Sequence, residues 1–368
     1  MKSGLKKILL FTYLLYLFRF VVGKYLSFGE FFFIIPPTFY LIINASYFRN
    51  YQRELGYLLI WNFIIIIELI INIVAGYDII TSALAAVNYT FSINFWILVF
   101  LKEKDKNWVL NSLNIMVVLF SILALIQFFF YPELFGLISE SIYSNEKNID
   151  KITFSKRAIS IIKSPQSLAF VLTLYLLSKS PRNILQHVLV IAAGILTFSK
   201  SFFMGLAINK LLRIKLRSIF YITTIFSLFL ISLYQFSEIS GVDRITSFVF
   251  DFSLDSQSDR LERWYHFVTQ FLSGNSLFFG NGLGSAARFS SATSISSESF
   301  LIQLLYETGI FGIILFLYPY LLFILRKKAD IPFVVAFFLL IFVSPSFYGI
   351  SINFLVYPLL ISKYYRYI

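Results

Sequence analysis

Residues 57–75 read YLLIWNFIIIIELIINIVA. A single acid, Glu68, interrupts a run long enough to cross a bilayer, whose hydrocarbon core asks for about 20 apolar residues of helix. Similar runs recur on both sides. Spans are expected near 8–22, 30–47, 57–75, 79–101, 108–130, 164–178, 184–198, 201–212, 217–235, 299–325, 331–345 and 347–362. The composition agrees. Hydrophobic residues make up 58% of the 368, aromatic residues 20% and charged residues only 14%. A soluble domain carries about 25% charged residues, and no water-soluble core could hide this much apolar surface. The chain therefore reads as an all-α polytopic membrane protein with about twelve spans, forming one integral membrane domain over residues 1–368. Soluble enzymes, disordered tails, disulfide scaffolds and nucleic-acid-binding domains are excluded. There is no cysteine and there are only two histidines, His187 and His266, so neither a thiolate nor a His-rich metal centre is expected.

The net charge of +12 is read by position. Lys2, Lys6 and Lys7 precede the first span, which lacks a small-residue cleavage site and is expected to stay. Alternating from a cytoplasmic N-terminus, the inner loops collect most of the remaining basic residues, including Lys102, Lys104, Lys106, Arg213, Lys215, Arg326, Lys327 and Lys328. That follows the positive-inside tendency. An even span count puts both termini in the cytoplasm. Two long outer segments stand apart, about 131–163 and about 236–298. Long loops are usually functional or disordered, and the second is too aromatic to be disordered. Within it, Leu261, Trp264, Tyr265, Val268, Phe271 and Leu272 recur at helical spacing over 259–272. The spacing predicts an amphipathic helix on the outer face. A glycine-rich stretch follows, with Gly274, Gly280, Gly282 and Gly284, read as a turn or flexible corner, and then a Ser/Ala-rich run to Ser299.

Charges in or beside the bilayer are costly and mark candidate chemistry. Arg157 lies in a basic run, Lys151, Lys156, Arg157 and Lys163, that leads into Ser164-Pro165-Gln166, and could form an anion site or touch headgroups. Lys200 lies in the turn Thr197-Phe198-Ser199-Lys200-Ser201 between two short apolar helices. A lysine beside a helix N-terminus suits a phosphate, although a snorkelling lysine fits too. Arg260 and Arg263 share one helical face and could grip a pyrophosphate bidentately, or pair with Asp259 and Glu262. Glu298 sits at the N-terminal end of a long span, where an acid also complements the helix dipole. Glu307 is deeper by about 13 Å at 1.5 Å per residue, and a buried glutamate must pair or hold a proton. Glu68, with Asn62 and Asn72, is read as a structural hydrogen-bond partner.

Taken together and in this order, these pieces resemble the bacterial O-antigen and capsular polysaccharide polymerases (Wzy-type) and the related O-antigen ligases. The resemblance covers roughly residues 155–325. It rests on Arg157 with Ser164-Pro165-Gln166, Leu196 to Ser201, Arg260-x3-Trp264, Gly280-x-Gly282-x-Gly284 and Ser297-Glu298-x10-Gly309-x2-Gly312, with an Arg263-x10-Gly274 spacing besides. Two positions depart from the family. Lys200 stands where an arginine is common, which keeps the charge and loses the planar fork. Glu298 stands where the ligases carry histidine, which moves the reading toward polymerase. The resemblance implies a GT-C-like fold and a glycosyltransferase acting on the outer face of the bacterial cytoplasmic membrane. Its donor would be a glycan on undecaprenyl pyrophosphate, and its acceptor the non-reducing end of a second lipid-linked repeat unit. The implied partners are these lipids, the surrounding membrane and a chain-length regulator. Arg157, Lys200, Arg260 and Arg263 would hold the pyrophosphate without metal or other cofactor. Glu298, or second Glu307, would serve as base in an inverting transfer. A ligase is the alternative. A lipid-linked oligosaccharide flippase fits less well, because the spans are nearly uncharged and the late loop is rich in charge.

Overall fold

The computed structural model describes residues 52–94, 103–129, 165–178, 184–197, 199–211, 254–273, 277–293, 299–327 and 331–343. The expected spans at 8–22, 30–47, 217–235 and 347–362, and the segment 131–163, lie outside the described residues. Among the described residues every regular element is an α-helix, and ten are present. They are α1 (Gln52–Val74), α2 (Ile79–Asn94), α3 (Glu103–Phe129), α4 (Pro165–Ser178), α5 (Ile184–Leu196), α6 (Lys200–Leu211), α7 (Leu254–Ser273), α8 (Ser285–Thr293), α9 (Phe300–Lys327) and α10 (Ile331–Val343). Three contain stretches long and apolar enough to cross a membrane: Gly56–Val74, Leu110–Phe129 and Phe300–Tyr318. Shorter apolar stretches occur at Ile79–Thr90, Gln166–Ser178, Ile184–Leu196 and Ile331–Val343.

α1 is apolar all round, so burial and not composition picks out its packed face. Trp61 and Ile65 are buried, whereas Leu59, Ile60, Phe63, Ile66 and Ile70 are exposed, as lipid-facing side chains would be. The helix ends in a Schellman motif. Tyr77 N–H reaches back to Asn72 O at 3.0 Å and Gly76 N–H to Ile73 O at 3.1 Å. Asp78 then caps α2, accepting Thr81 N–H at 2.9 Å and the Thr81 hydroxyl. The two ends leave no slack, and α1 and α2 pack together. Trp61 Nε1–H donates to Tyr89 O across the pair at 3.1 Å.

α3, α4 and α5 are joined by polar side chains. Gln186 on α5 donates to Asn114 Oδ1 on α3 at 2.7 Å and to Tyr175 Oη on α4 at 2.6 Å, and Tyr175 also bonds Asn114. Between apolar helices such bonds supply orientation that dispersion alone does not. α6 packs on α4 and α10. α9 packs on α7, α8 and α10.

The expected amphipathic helix is present as α7, longer at its N-terminal end than its apolar spacing suggested. Its Phe267 and Phe271 pack with Ala286 of α8 and with Ile302 and Tyr306 of α9. Trp264 adds an edge-on contact with Phe342 of α10, ring centroids 4.8 Å apart. The Ser/Ala-rich run also contains structure the sequence reading missed, the short helix α8.

Candidate functional site

The segment between α7 and α8 folds back onto α9, and this contact organises the site. α9 is broken at Gly309, where φ is 68° and ψ is −168°. In an unbroken helix Ile310 N–H would bond Tyr306 O, and Phe311 N–H would bond Glu307 O. Here the two carbonyls accept instead from Asn281 N–H at 2.9 Å and Gly282 N–H at 3.0 Å. The two amides donate to Leu277 O and Phe278 O, both at 3.1 Å. Segment 277–282 thus takes over the backbone bonds that the break releases. Non-helical backbone at membrane depth persists only where protein satisfies it in this way.

The approach is close enough to require glycine. A Cβ on Gly280 would meet the Glu307 carbonyl carbon at 2.5 Å and Gly309 N at 2.6 Å. Gly309 itself holds a backbone conformation essentially confined to glycine. The Gly280–Gly284 stretch is therefore a fitted turn, not a loose corner.

Glu307 lies at this junction and is fully buried. Its Oε1 accepts Ala286 N–H at 3.2 Å, in the first turn of α8. An acid there complements the helix dipole. The Gly284 amide, Tyr89 and Gln303 surround the same carboxyl. Glu68 of α1 is also buried, with its carboxyl within electrostatic reach of that of Glu307.

One turn beyond Glu68, Asn72 Nδ2–H donates to Leu283 O at 2.8 Å. Ser82 Oγ–H reaches the same carbonyl at 3.3 Å and Arg288 Nη1–H at 3.2 Å. Three side chains from α1, α2 and α8 therefore converge on one backbone oxygen of the glycine turn. Arg288 stacks over Tyr77, 4.3 Å from the ring centroid, in cation–π geometry. Asp78 is nearby and exposed. The bond from the Thr81 hydroxyl, then that from the Thr81 amide, hold its carboxyl below the usual carboxylate range, with a lesser pull from Arg288.

Of the expected site residues, Glu307 is at this centre. Arg263 is half-buried on α7. Arg260 is on α7 and Lys200 opens α6, one residue earlier than expected; the side chains of both lie outside the described residues, as do Arg157 and Glu298 entirely. Ser199 and Ser201, which flank Lys200, are buried and share a hydrogen bond of 2.7 Å. Next to Glu298, Ser299 Oγ accepts Ile302 N–H at 3.3 Å and caps α9. Around Glu307 the side chains are Tyr89, Gln303 and Glu68, while Asn72, Ser82 and Arg288 hold the adjoining glycine turn at Leu283 O. Glu68, the residue read as a structural hydrogen-bond partner, has a buried carboxyl oxygen, Oε2, without a hydrogen bond among the described residues, and it is the neighbouring Asn72 that bonds the glycine turn. Arg288 was visible only as the lone cation in the Ser/Ala-rich run behind Gly284. No known protein family, curated protein or solved structure matches the chain.

Proposed function

We propose that this protein is a multi-pass membrane glycosyltransferase that polymerises a bacterial surface polysaccharide, with about twelve spans, a GT-C-like arrangement and both termini in the cytoplasm. One observation carries the reading beyond the sequence resemblance. Two of its motif pieces, Gly280-x-Gly282-x-Gly284 and the segment from Glu307 to Gly312, meet at one junction, where segments 277–282 and 306–311 share four backbone hydrogen bonds, Gly282 N–H to Glu307 O being the one that joins the two pieces directly.

In this reaction the non-reducing-end hydroxyl of a lipid-linked acceptor attacks the anomeric carbon of the donor glycan. The bond from that carbon to the pyrophosphate oxygen breaks, and the hydroxyl proton passes to a base. Glu298 is the base. Glu307, enclosed and bonded to α8, is a positioning residue that fixes the glycine turn; this revises its expected standing as second-choice base. Arg157, Lys200, Arg260 and Arg263 balance the charge of the departing undecaprenyl pyrophosphate. The transfer is metal-independent and inverting, proceeds on the outer face, and leaves room for a chain-length regulator as partner.

The test is deletion of the gene, followed by electrophoresis of surface polysaccharide. Loss of the ladder, with a single repeat unit still on its anchor, is the expected result. Long chains accumulating on undecaprenyl pyrophosphate would replace polymerase with ligase. An unchanged ladder would remove both.

A further inference from the structure

The turn that closes the break in α9 carries three apolar residues at its start, and they do not fold inward. Phe278 is 67% exposed and Phe279 60% exposed. Leu277 is also exposed, as are Ile310, Phe311 and Ile314 on α9. The Phe279 and Phe311 rings lie 6.1 Å apart. The two sets of side chains are therefore neighbours, and the second set belongs to a stretch apolar enough to cross a membrane.

Depth follows from the helix itself. The basic cluster Arg326, Lys327 and Lys328 marks one end of α9 in sequence. At 1.5 Å per residue, Gly309 is about 26 Å along the axis from Arg326. The hydrocarbon core is about 30 Å thick. With Arg326 at one face of the hydrocarbon, the break and the turn bonded to it fall inside it, in the half away from the basic cluster.

α7 extends the same surface. Leu261, Tyr265 and Leu272 are exposed, and at helical spacing they fall on one narrow stripe. Phe267 and Phe271 are on the buried side. Glu262, His266 and Gln270 occupy the remaining, polar side. A helix divided in this way lies along a membrane interface.

We propose that Leu277, Phe278 and Phe279 are inserted among the acyl chains of the outer leaflet, so that the turn bearing on Glu307 is anchored by bilayer lipid, with the α7 stripe as its rim. Continuity with the lipid-facing side of α9 argues for this occupant. The proposal rests on α9 crossing the membrane and not on the transfer reaction.

The chain has no cysteine, so single-cysteine variants can be spin-labelled cleanly. Full-length Phe279→Cys, Phe278→Cys, Ile314→Cys and Gln270→Cys are reconstituted in phosphatidylethanolamine–phosphatidylglycerol vesicles. Relaxation of each label by oxygen, which partitions into lipid, is compared with relaxation by a water-soluble nickel chelate. Labels at Phe278, Phe279 and Ile314 should show an oxygen-to-nickel ratio several-fold above that at Gln270. A lipid-like ratio at Ile314 with Gln270-like ratios at both phenylalanine positions would overturn the anchored turn and leave the span intact. Gln270-like ratios at Ile314 as well would overturn the span and the anchor together.

Discussion

A carboxyl group without an exposed atom can hold structure in place more readily than it can meet an incoming hydroxyl, and Glu307 is in that position. Its environment depends on Gly309, where any side chain meets two obstacles. The backbone angles there are nearly exclusive to glycine, at a cost of about 1–3 kcal/mol for other residues, and a Cβ would press on the Phe278 carbonyl. Gly309→Ala should therefore lower the thermal unfolding midpoint in detergent and reduce activity. Gly56→Ala, with open space around the new methyl group, is the control and should be neutral or slightly stabilising. Equal midpoints for the two variants would refute the fitted turn. The sequence exposed part of this. Glu307 could be picked out because its depth in an apolar helix makes a charge expensive. Glu68, Asn72, Ser82 and Arg288 could not be joined to it, because they come from three other helices. No spacing within one helix encodes which carbonyl of a distant turn Asn72 will bond.

Among the elements, α7 was legible because a helix that buries one side and wets another must repeat its apolar residues at about 3.6. The break in α9 was not. Gly309 and Gly312 look like ordinary small residues in a membrane helix until segment 277–282 takes over the bonds of the broken turn. α8 was hidden for a related reason, since its run SAARFSSAT is only nine residues long, mixes Ser and Thr with Ala and Arg, and starts against a carboxyl group from another helix. The junction of α3, α4 and α5 makes a separate prediction. Asn114, Tyr175 and Gln186 bond one another between helices whose remaining contacts are largely apolar. Pairwise polar bonds in membrane bundles average about 0.6 kcal/mol and reach about 1.7. A double-mutant cycle with Asn114→Ala and Gln186→Ala, read by reversible unfolding in mixed detergent micelles, should give an interaction energy in that range. A value of zero would mean that helix packing alone sets this junction.

For the molecule as a whole, hydropathy and charge position spoke to which stretches are apolar spans, because a bilayer penalises every misplaced charge. They were silent on how the late segment returns to the spans, since that depends on backbone bonds available to any sequence with glycine in the right places. The return has a functional consequence. It ties the glycine turn to α9 at Tyr306, Glu307, Ile310 and Phe311, more than two helical turns beyond Glu298, so Glu298 and Glu307 should fail differently when altered. Glu298→Gln keeps size and hydrogen-bonding capacity and removes the proposed base. It should reach the membrane in normal amount and yield single repeat units without long chains. Glu307→Ala removes the acceptor for Ala286 N–H and opens a cavity at the break, so it should lower both the amount of folded protein and chain length. Glu307→Gln can still accept that bond and should retain more polymer than Glu298→Gln. Polysaccharide gels read beside membrane protein levels separate these cases. A normal ladder from Glu298→Gln would end its assignment as base. Loss of the ladder in Glu307→Gln at full protein level would return the proton-accepting role to the buried acid, and would require the glycine turn to open during each transfer.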